Sequence, residues 1–211
     1  MEMKDVLNEK GYLFCPKLIA DPENLYCDPP LDDNGGRLAG QINYYRKDKF
    51  TSEPEEKQVI GSLARYNIPI YKNLHYMVRR SIEDILGMDL HPTYFYDRFY
   101  YMGQELKKHT DRPACEISVT LQISSNNKEP WPIWFENSDG SKNSIIMENG
   151  DAAIYKGCEI PHWRESLTSR YNKAELLWRK ARKLEDDTYH HQIFMHYVDA
   201  QGKFVQHAFD R

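Results

Sequence analysis

A long run of hydrophobic positions with a helical period lies in the first half of the chain. Between residues 69 and 86, apolar side chains recur every three or four positions, and Gly87 follows as a C-cap. We therefore predict an amphipathic helix over 69–86 whose apolar stripe lies against a sheet. A shorter helix is predicted over residues 1–10, ending at Gly11, with a strand at 12–14. The members of the long stripe are Ile70, Leu74, Met77, Val78, Ile82, Ile85 and Leu86.

From residue 92 onward the pattern changes to short strand-like runs separated by turn-forming residues. Asn149-Gly150, between two such runs, is a strong hairpin signal. Many short strands at regular spacing indicate a sandwich or a jelly roll. The predicted fold is therefore mainly β with α, in which N-terminal helices support a β-sheet core. The predicted strands cover residues 93–101, 115–123, 133–135, 144–147, 152–155, 160–166 and 189–198.

Two segments differ from these patterns. Residues 21–58 are rich in Asp, Pro, Gly and Lys, which predicts loop with little regular structure. Residues 171–187 mix apolar and charged side chains at helical spacing, which predicts a helix inserted between two strands. The predicted organisation is an N-terminal extension with its supporting helix over 1–91, a β core over 92–201 and a tail over 202–211.

Composition sets limits on the function. The chain is 40% hydrophobic and 28% charged, as in ordinary globular proteins, and its formal net charge of −4 makes nucleic acid an unlikely partner. No run approaches the roughly 18 apolar residues that a membrane span needs, and the first residues do not resemble a signal peptide. Four scattered cysteines without a CxxC pair are typical of a reduced protein, so we expect a cytoplasmic location.

The tripeptide His109-Thr110-Asp111 is the central candidate for chemistry. On a strand, residues i and i+2 share a face, so both side chains could reach one ion. A later run, Pro161-His162-Trp163-Arg164, could return a second histidine to the same place. Two histidines and one carboxylate leave open coordination positions and suit iron(II). The competitors of His162 for the third position are His190, His191 and His196.

With these residues the chain resembles the iron(II)- and 2-oxoglutarate-dependent oxygenases, especially their prolyl 4-hydroxylase-like branch. The resemblance rests on Tyr100-Tyr101-Met102-Gly103 before His109-x-Asp111, on Gly150-Asp151 before His162, and on the strand 189–198 that ends in Asp199-Ala200. It covers about half of the chain. It implies a double-stranded β-helix over 92–201, iron(II) held by His109, Asp111 and His162, 2-oxoglutarate as cosubstrate, and O2.

The family normally anchors the far carboxylate of 2-oxoglutarate with an Arg or Lys at the start of the last core strand. Here the helical insertion intervenes, and the matching position holds His190. Strand parity offers a substitute, because Arg164 shares the face of His162 and a guanidinium pairs well with a carboxylate. The anchor is therefore either Arg164 or His190.

Two further residues are candidates for the cosubstrate pocket. Tyr100 falls where the family often has a pocket tyrosine. Gln122 belongs to a polar face, shared with Ser118 and Thr120, on a strand that is otherwise apolar. A polar face inside a small barrel needs partners, which a bound acid could supply, although a solvated face is an equal alternative.

The function implied by the resemblance is hydroxylation of a substrate coupled to conversion of 2-oxoglutarate into succinate and CO2. The substrate is a protein, a peptide, an amino acid or a small metabolite, and the sequence does not choose among them. Two alternatives are a cupin-type metalloenzyme that does not use 2-oxoglutarate and a ligand-binding module without catalysis. No membrane partner is expected.

Overall fold

The structure of the protein is a computed structural model that describes residues 2–44, 51–53 and 55–210. The helices are α1 (Met3–Lys10), α2 (Lys72–Leu86) and α3 (Lys173–Ala181). The strands are β1 (Tyr12–Cys15), β2 (Gly40–Asn43), β3 (Thr51–Glu53), β4 (Leu63–Tyr66), β5 (Leu90–Tyr101), β6 (Leu106–His109), β7 (Ile117–Ser125), β8 (Ile133–Glu136), β9 (Lys142–Ile145), β10 (Ala152–Tyr155), β11 (His162–Arg164) and β12 (Tyr189–Asp199). No helix in these ranges has the length and apolar character needed to cross a membrane.

The strands form two sheets that pack face to face. The major sheet has eight strands in the order β1-β10-β7-β12-β5-β4-β2-β3, and the minor sheet has four in the order β6-β11-β8-β9. Tyr12 of β1 and Tyr155 of β10 both contact Phe135 of β8, so aromatic rings join the two layers. Two packed, mainly antiparallel sheets are the arrangement of a jelly roll.

Alternation along β5 separates two faces of the major sheet. Phe95 and Phe99 point to what we call the outer face, where Phe95 joins the apolar core under α1 and α2. Tyr96 and Tyr100 point to the inner face, which is turned toward the minor sheet, where Tyr100 meets Trp131. The outer face is thus an apolar core and the inner face carries most of the polar groups.

The amphipathic helix predicted over 69–86 is confirmed, because α2 covers most of that range. Gly87 caps it in the left-handed region with φ 61°, and its N–H donates to the carbonyl of Glu83 at 2.8 Å. The stripe is narrower than predicted: Ile70 and Met77 are 68% and 60% exposed. Ile70 lies in a 3-10 turn before the helix, which moves it off the buried face. The buried members of the stripe are Leu74, Val78, Ile82 and Leu86.

The prediction that residues 21–58 lack regular structure is wrong in part. β2 and β3 pair with each other, and β2 runs parallel to β4, so this region extends the major sheet. Residues 45–50 and 54 of the segment lie outside the described residues. β2 has only four residues and depends on its neighbours, which is why composition alone predicts a loop.

Several predicted boundaries also shift. The strand predicted at 115–123 begins later, because Pro113–Cys115 form a 3-10 turn. The strand predicted at 144–147 is β9, which ends at Ile145, and the strand predicted at 160–166 is reduced to β11. The helix predicted over 171–187 is α3 alone, which starts at an Asn172 capping box.

Candidate metal and anion-binding site

Three potential metal ligands meet between the two sheets. His109 ends β6 and His162 begins β11, and the two are direct cross-strand partners in the minor sheet. The Nε2 atoms of His109 and His162 lie 3.4 and 3.6 Å from Oδ1 of Asp111. Adjacent ligands of an octahedral ion with bonds of about 2.1 Å lie about 3 Å apart, so these atoms need only small shifts to share one ion.

The contacts that position Asp111 differ from the predicted ones. β6 ends at His109, so Asp111 is not two residues further along the same strand. Its backbone N–H donates to the carbonyl of Gly157 at 2.8 Å, and Ser118 Oγ donates to its Oδ2 at 2.8 Å. A Cβ on Gly157 would lie 2.4 Å from that same oxygen. Close contact with Gly157 and the bond from Ser118 therefore direct Oδ1 toward the two histidines.

The main chain orients both histidine rings. Nδ1 of His109 donates to the carbonyl of Lys107 at 2.8 Å, and Nδ1 of His162 donates to that of Ile160 at 2.9 Å. In a neutral ring this bond leaves the lone pair on Nε2, which is the nitrogen that faces Asp111 in each case. Both imidazoles are therefore prepared to bind a cation through Nε2.

The charges of the three groups are coupled. Burial alone would raise the pKa of Asp111, but hydrogen bonds and charges from His109 and His162 hold that pKa well below its ordinary value. Burial acts to lower the pKa of His109, and Asp111 together with the Lys107 carbonyl raises it above the usual value. Without a cation, the carboxylate stabilises a proton on His109. A divalent ion would take the place of that proton.

Two of the competing histidines lie away from these atoms. His191 is on the outer face, where its Nε2 is bonded to Oδ2 of Asp97 at 2.9 Å. His190 is on the inner face but packs edge-on against Trp131, with ring centroids 4.8 Å apart. Among the described residues, neither joins a cluster of potential metal ligands.

His196 lies closer to the site than the other two. With Asp111 and Cys115 it forms a second group of potential ligands, and its Nδ1 is 3.0 Å from Ser118 Oγ. Burial raises the pKa of the Cys115 thiol far above its usual range, which disfavours the thiolate that a metal would need. His109, Asp111 and His162 are therefore the better ligand set.

Arg164 lies deeper between the sheets and is nearly unpaired. Only 1% of its surface is exposed, and its guanidinium stacks over Trp131, whose carbonyl accepts a bond from Nη1. Its Nε and Nη2 have no hydrogen-bond partner among the described residues. Burial lowers the pKa of Arg164 to about 10. A buried cation without a carboxylate costs several kcal/mol, so this position is suited to an anionic ligand.

His190 and Tyr100 border the same region. Burial and then the charge of Arg164 hold the pKa of His190 well below its usual value, so its imidazole is neutral. A neutral ring can donate one hydrogen bond to a carboxylate but cannot balance its charge. The hydroxyl of Tyr100 accepts a bond from Nη1 of Arg98 at 3.2 Å, and its ring meets Trp131 at 4.9 Å.

Gln122 is buried on the inner face, on the same side of β7 as Ser118 and Thr120. Its amide donates to the carbonyl of Ser124 at 3.2 Å and accepts from Gln192 at 3.0 Å. The polar face predicted for this strand is thus buried, which excludes the solvated alternative. Thr120 meets the hydroxyl of Tyr155 at 3.2 Å.

Sequence reasoning missed a second arginine, Arg98, on the inner face. It is fully buried in the middle of β5, its Nη2 lies 3.0 Å from Oε1 of Glu56, and its Nη1 donates to Oε1 of Gln58 at 2.9 Å. The other end of the Gln58 amide is 3.0 Å from Nε2 of His109. Strand parity could have identified Arg98, because it lies two residues from Tyr100, which was expected in the pocket.

A cavity of about 430 Å³ opens beside the candidate ligands. His109 and Asp111 contribute to its wall, and so do the loop side chains Glu56 and Gln58. Tyrosines 66, 94 and 96, stacked at centroid distances of 4.6 to 6.2 Å, form an aromatic side. A cavity with an aromatic wall and a few converging polar groups is typical of a small-molecule site.

Neither a family model nor a curated protein sequence matches the chain. Solved structures do match. An oxidoreductase of the 2OG-Fe(II) oxygenase family from Burkholderia pseudomallei has a TM-score of 0.58 at 11% identity, covering 93% of this chain and 89% of that chain. A prolyl hydroxylase from Trichoplax adhaerens, in complex with a hypoxia inducible factor peptide fragment, has a TM-score of 0.57 at 12% identity, covering 94% and 88%.

A third structure is HygX from Streptomyces hygroscopicus with nickel, 2-oxoglutarate and hygromycin B bound. It has a TM-score of 0.56 at 8% identity and covers 93% of this chain and 86% of that chain. The predicted resemblance to 2-oxoglutarate oxygenases, prolyl hydroxylases among them, is thereby confirmed at the level of the fold. The chain has the jelly-roll fold of these enzymes.

Proposed function

We propose that the protein is an iron(II)- and 2-oxoglutarate-dependent oxygenase that hydroxylates its substrate. His109, Asp111 and His162 would bind the iron, and Arg164 would bind the far carboxylate of 2-oxoglutarate. The observation that carries the proposal is the unpaired, buried guanidinium of Arg164 in a jelly roll that also brings together two imidazoles and a carboxylate. Such a pair of sites suits one metal and one dicarboxylate.

The donor set fits iron(II). Two Nε2 atoms and one carboxylate oxygen lie within 4.8 Å of one another, which is the two-histidine, one-carboxylate arrangement with further coordination positions open. When bound, iron(II) with 2-oxoglutarate and O2 would supply an oxidant that inserts oxygen into a C–H bond while 2-oxoglutarate becomes succinate and CO2. The chain itself contributes ligand orientation and an interior shielded from water.

Arg164 favours a reaction that uses 2-oxoglutarate over a cupin-type reaction that does not. It lies two residues beyond His162 on the same side of β11, so both side chains are buried while Trp163 between them is only half-buried. A guanidinium can bind a carboxylate through two N–H groups, and Nε with Nη2 forms such an unpaired edge. The neutral His190 beside it would add at most a hydrogen bond.

The substrate is a protein, a peptide or a small molecule. Among the similar structures, one holds a peptide fragment and another holds hygromycin B, so the fold accommodates both kinds of ligand. The cytoplasmic location expected from the sequence stays a prediction.

A direct test measures binding and turnover separately. The full-length protein should bind one divalent ion per chain, and it should bind 2-oxoglutarate in the presence of that ion. With iron(II) and O2 it should release succinate slowly without substrate and faster with the right one. His109→Ala, Asp111→Ala and His162→Ala should each abolish metal binding, while His191→Ala, on the outer face, should retain it.

The outcomes separate the alternatives. Metal binding without affinity for 2-oxoglutarate would contradict the proposal and favour a cupin-type enzyme. Absence of metal binding would favour a ligand-binding module. Full retention of metal in His162→Ala would transfer the third position to His196, which forms the second group of potential ligands with Asp111 and Cys115.

A further inference from the structure

The strand β5 carries a buried arginine whose carboxylate partner is not on a strand. Arg98 lies in the middle of this central strand and is completely buried. Its partner Glu56 is also buried, at 2% exposure, but belongs to an irregular segment before β4. The cation is therefore held rigidly, whereas the anion depends on the position of a loop.

The surroundings of Arg98 leave one of its N–H groups without a hydrogen-bond partner among the described residues. That group is the one at Nε. Rings of Tyr96, Tyr100 and Phe194 lie 5.2 to 5.8 Å from the guanidinium carbon. These rings favour the cation and exclude water, so a carboxylate that reaches Arg98 meets a strong, dehydrated partner.

The position of Arg98 relative to the candidate metal site is informative. The side-chain amide of Gln58 alone spans the gap from Nη1 of Arg98, at 2.9 Å, to Nε2 of His109, at 3.0 Å. Arg98 is therefore one carboxamide away from a proposed metal ligand. Gln58 must also leave Nε2 of His109 before that atom can bind a metal. The loop that carries Glu56 and Gln58 therefore has to move on the side that faces His109 and Arg98.

We propose that Arg98 binds the carboxylate of the substrate, and that Glu56 occupies this place when no substrate is bound. The inference rests on the proposed function and extends it to a substrate class. That class is a small carboxylic acid whose reacting C–H bond lies within a few bonds of the carboxylate. Glu56 and Gln58 line the cavity of about 430 Å³, so their displacement opens Arg98 to it.

Charge favours a carboxylic acid over a neutral molecule. In the proposed complex, Asp111 would face the metal and Arg164 would face 2-oxoglutarate, so both have assigned partners. Arg112, which also lines the cavity, pairs with Asp210, whereas the partner of Arg98 is Glu56 on the loop that borders the cavity. A neutral substrate that displaced Glu56 would leave Arg98 buried without an anion, whereas a carboxylate would restore the pair.

The first test removes Glu56 and supplies carboxylates from solution. Glu56→Ala should have a lower melting temperature than the original protein, and acetate or propionate should raise it by several degrees. Acetamide and propionamide are the matched neutral probes and should have no such effect. In the double variant Glu56→Ala/Arg98→Met the acids should lose their advantage. Equal responses to acids and amides, or persistence of the acid response in the double variant, would overturn the inference.

The second test uses turnover with the original loop. A panel of small carboxylic acids and their primary amides is screened for stimulated succinate release, and acids should be the active members. For an active acid, Arg98→Met should raise KM roughly 30- to 1000-fold, and Arg98→Lys should recover part of the loss. The affinity for 2-oxoglutarate should stay within about threefold in both variants. Activity with amides alone, or with no member of the panel, would overturn the inference.

The design separates this inference from the proposed function. If metal-loaded protein does not bind 2-oxoglutarate, the proposed function fails, but acetate rescue of Glu56→Ala still reports on Arg98. If Arg98→Met loses affinity for 2-oxoglutarate while Arg164→Met keeps it, Arg98 is the cosubstrate anchor and the inference is overturned. If Arg164→Met alone loses that affinity, the two arginines have the two roles assigned to them.

Discussion

Two adjacent residues of β5, Asp97 and Arg98, begin two very different charge networks. On the outer face, Asp97 accepts a bond from Arg65 Nε at 2.9 Å and lies 2.9 Å from His191 Nε2. Arg65 and His191 lie on β4 and β12, the two strands that pair with β5 on either side. On the inner face, Arg98 faces Glu56 on a loop. The outer network is thus fixed by the sheet itself, and the inner one can exchange its anion.

Arg164 extends this contrast. It is as buried as Asp97, yet no described carboxylate lies within ion-pair distance of it. Breaking a buried pair is costly because the remaining charge loses its partner, and folding alone gives no reason to keep a cation unpaired. A closed network is what stability requires, and open positions are what ligand binding requires. The outer face of the major sheet holds the closed network, and the space between the two sheets holds the open positions.

The largest expected effect is a loss of stability when Asp97 is removed from the outer network. Asp97→Ala should lower the free energy of unfolding by about 3–5 kcal/mol, because Arg65 would remain buried and unpaired. Urea denaturation measures this change. The matched control is Asp187→Ala, whose ion pair with Arg170 is largely exposed and should contribute less than about 1 kcal/mol. Equal effects of the two substitutions would mean that the buried network of the outer face contributes no more to stability than an exposed ion pair.

Removing the unpaired cation of Arg164 should weaken ligand binding without lowering the free energy of unfolding. Arg164→Met should weaken 2-oxoglutarate binding by about 2–4 kcal/mol, roughly 30- to 1000-fold, because a charge-assisted bidentate pair is lost. The free energy of unfolding should not fall, because no native partner is left without its ion. Titration of metal-loaded protein measures the affinity. If His190→Gln loses affinity and Arg164→Met does not, the anchor is His190.

A pH titration tests the outer face in another way. Burial lowers the pKa of His75, which packs on Phe95 and Tyr197, to about 4. The unfolded chain binds this proton near pH 6.5 and the folded chain only near pH 4, so stability falls as pH decreases through that window. The loss reaches up to about 3 kcal/mol. His75→Gln should remove this part of the slope, although His196 has a similar shift and adds its own.

The smallest effect should arise at the candidate metal site. Ser118→Ala removes the bond to Oδ2 of Asp111, and loss of such a supporting bond lowers metal affinity about 10- to 100-fold. Thr120→Val is the control, because Thr120 lies on the same face of β7 and its hydroxyl meets Tyr155 instead. Competition with a metal chelator measures both variants. Unchanged affinity in Ser118→Ala would mean that Gly157 alone orients the carboxylate.

The local patterns of the sequence were sufficient for the elements that have a strong period. The stripe of α2 predicts where that helix lies and which side it buries, and the strand-like runs over 93–101 and 189–198 predict β5 and β12. The order of His109, Asp111 and His162 along the chain predicted three side chains that do meet. The burial of Arg164 on the same side as His162 was predicted from the alternation of side chains along a strand, here the short strand β11.

Contacts between distant segments could not be predicted in this way. Asp111 is positioned by Gly157, and the space that Gly157 leaves open has no signature in the local sequence. Glu56 and Arg98 pair through the tertiary fold, and Glu56 lies in a segment whose composition indicates only a loop. The short strands β2 and β3 exist because β4 offers an edge to β2 and β2 offers one to β3, not because of their own residues.

The hydrogen bonds that orient the two imidazoles have a consequence for how this site can evolve. Each acceptor is a main-chain carbonyl two residues earlier, at Lys107 and Ile160, so no side-chain substitution can delete it. Side-chain substitutions therefore leave the orientation of both rings unchanged as long as the backbone keeps its conformation. A centre built in this way can survive extensive sequence drift.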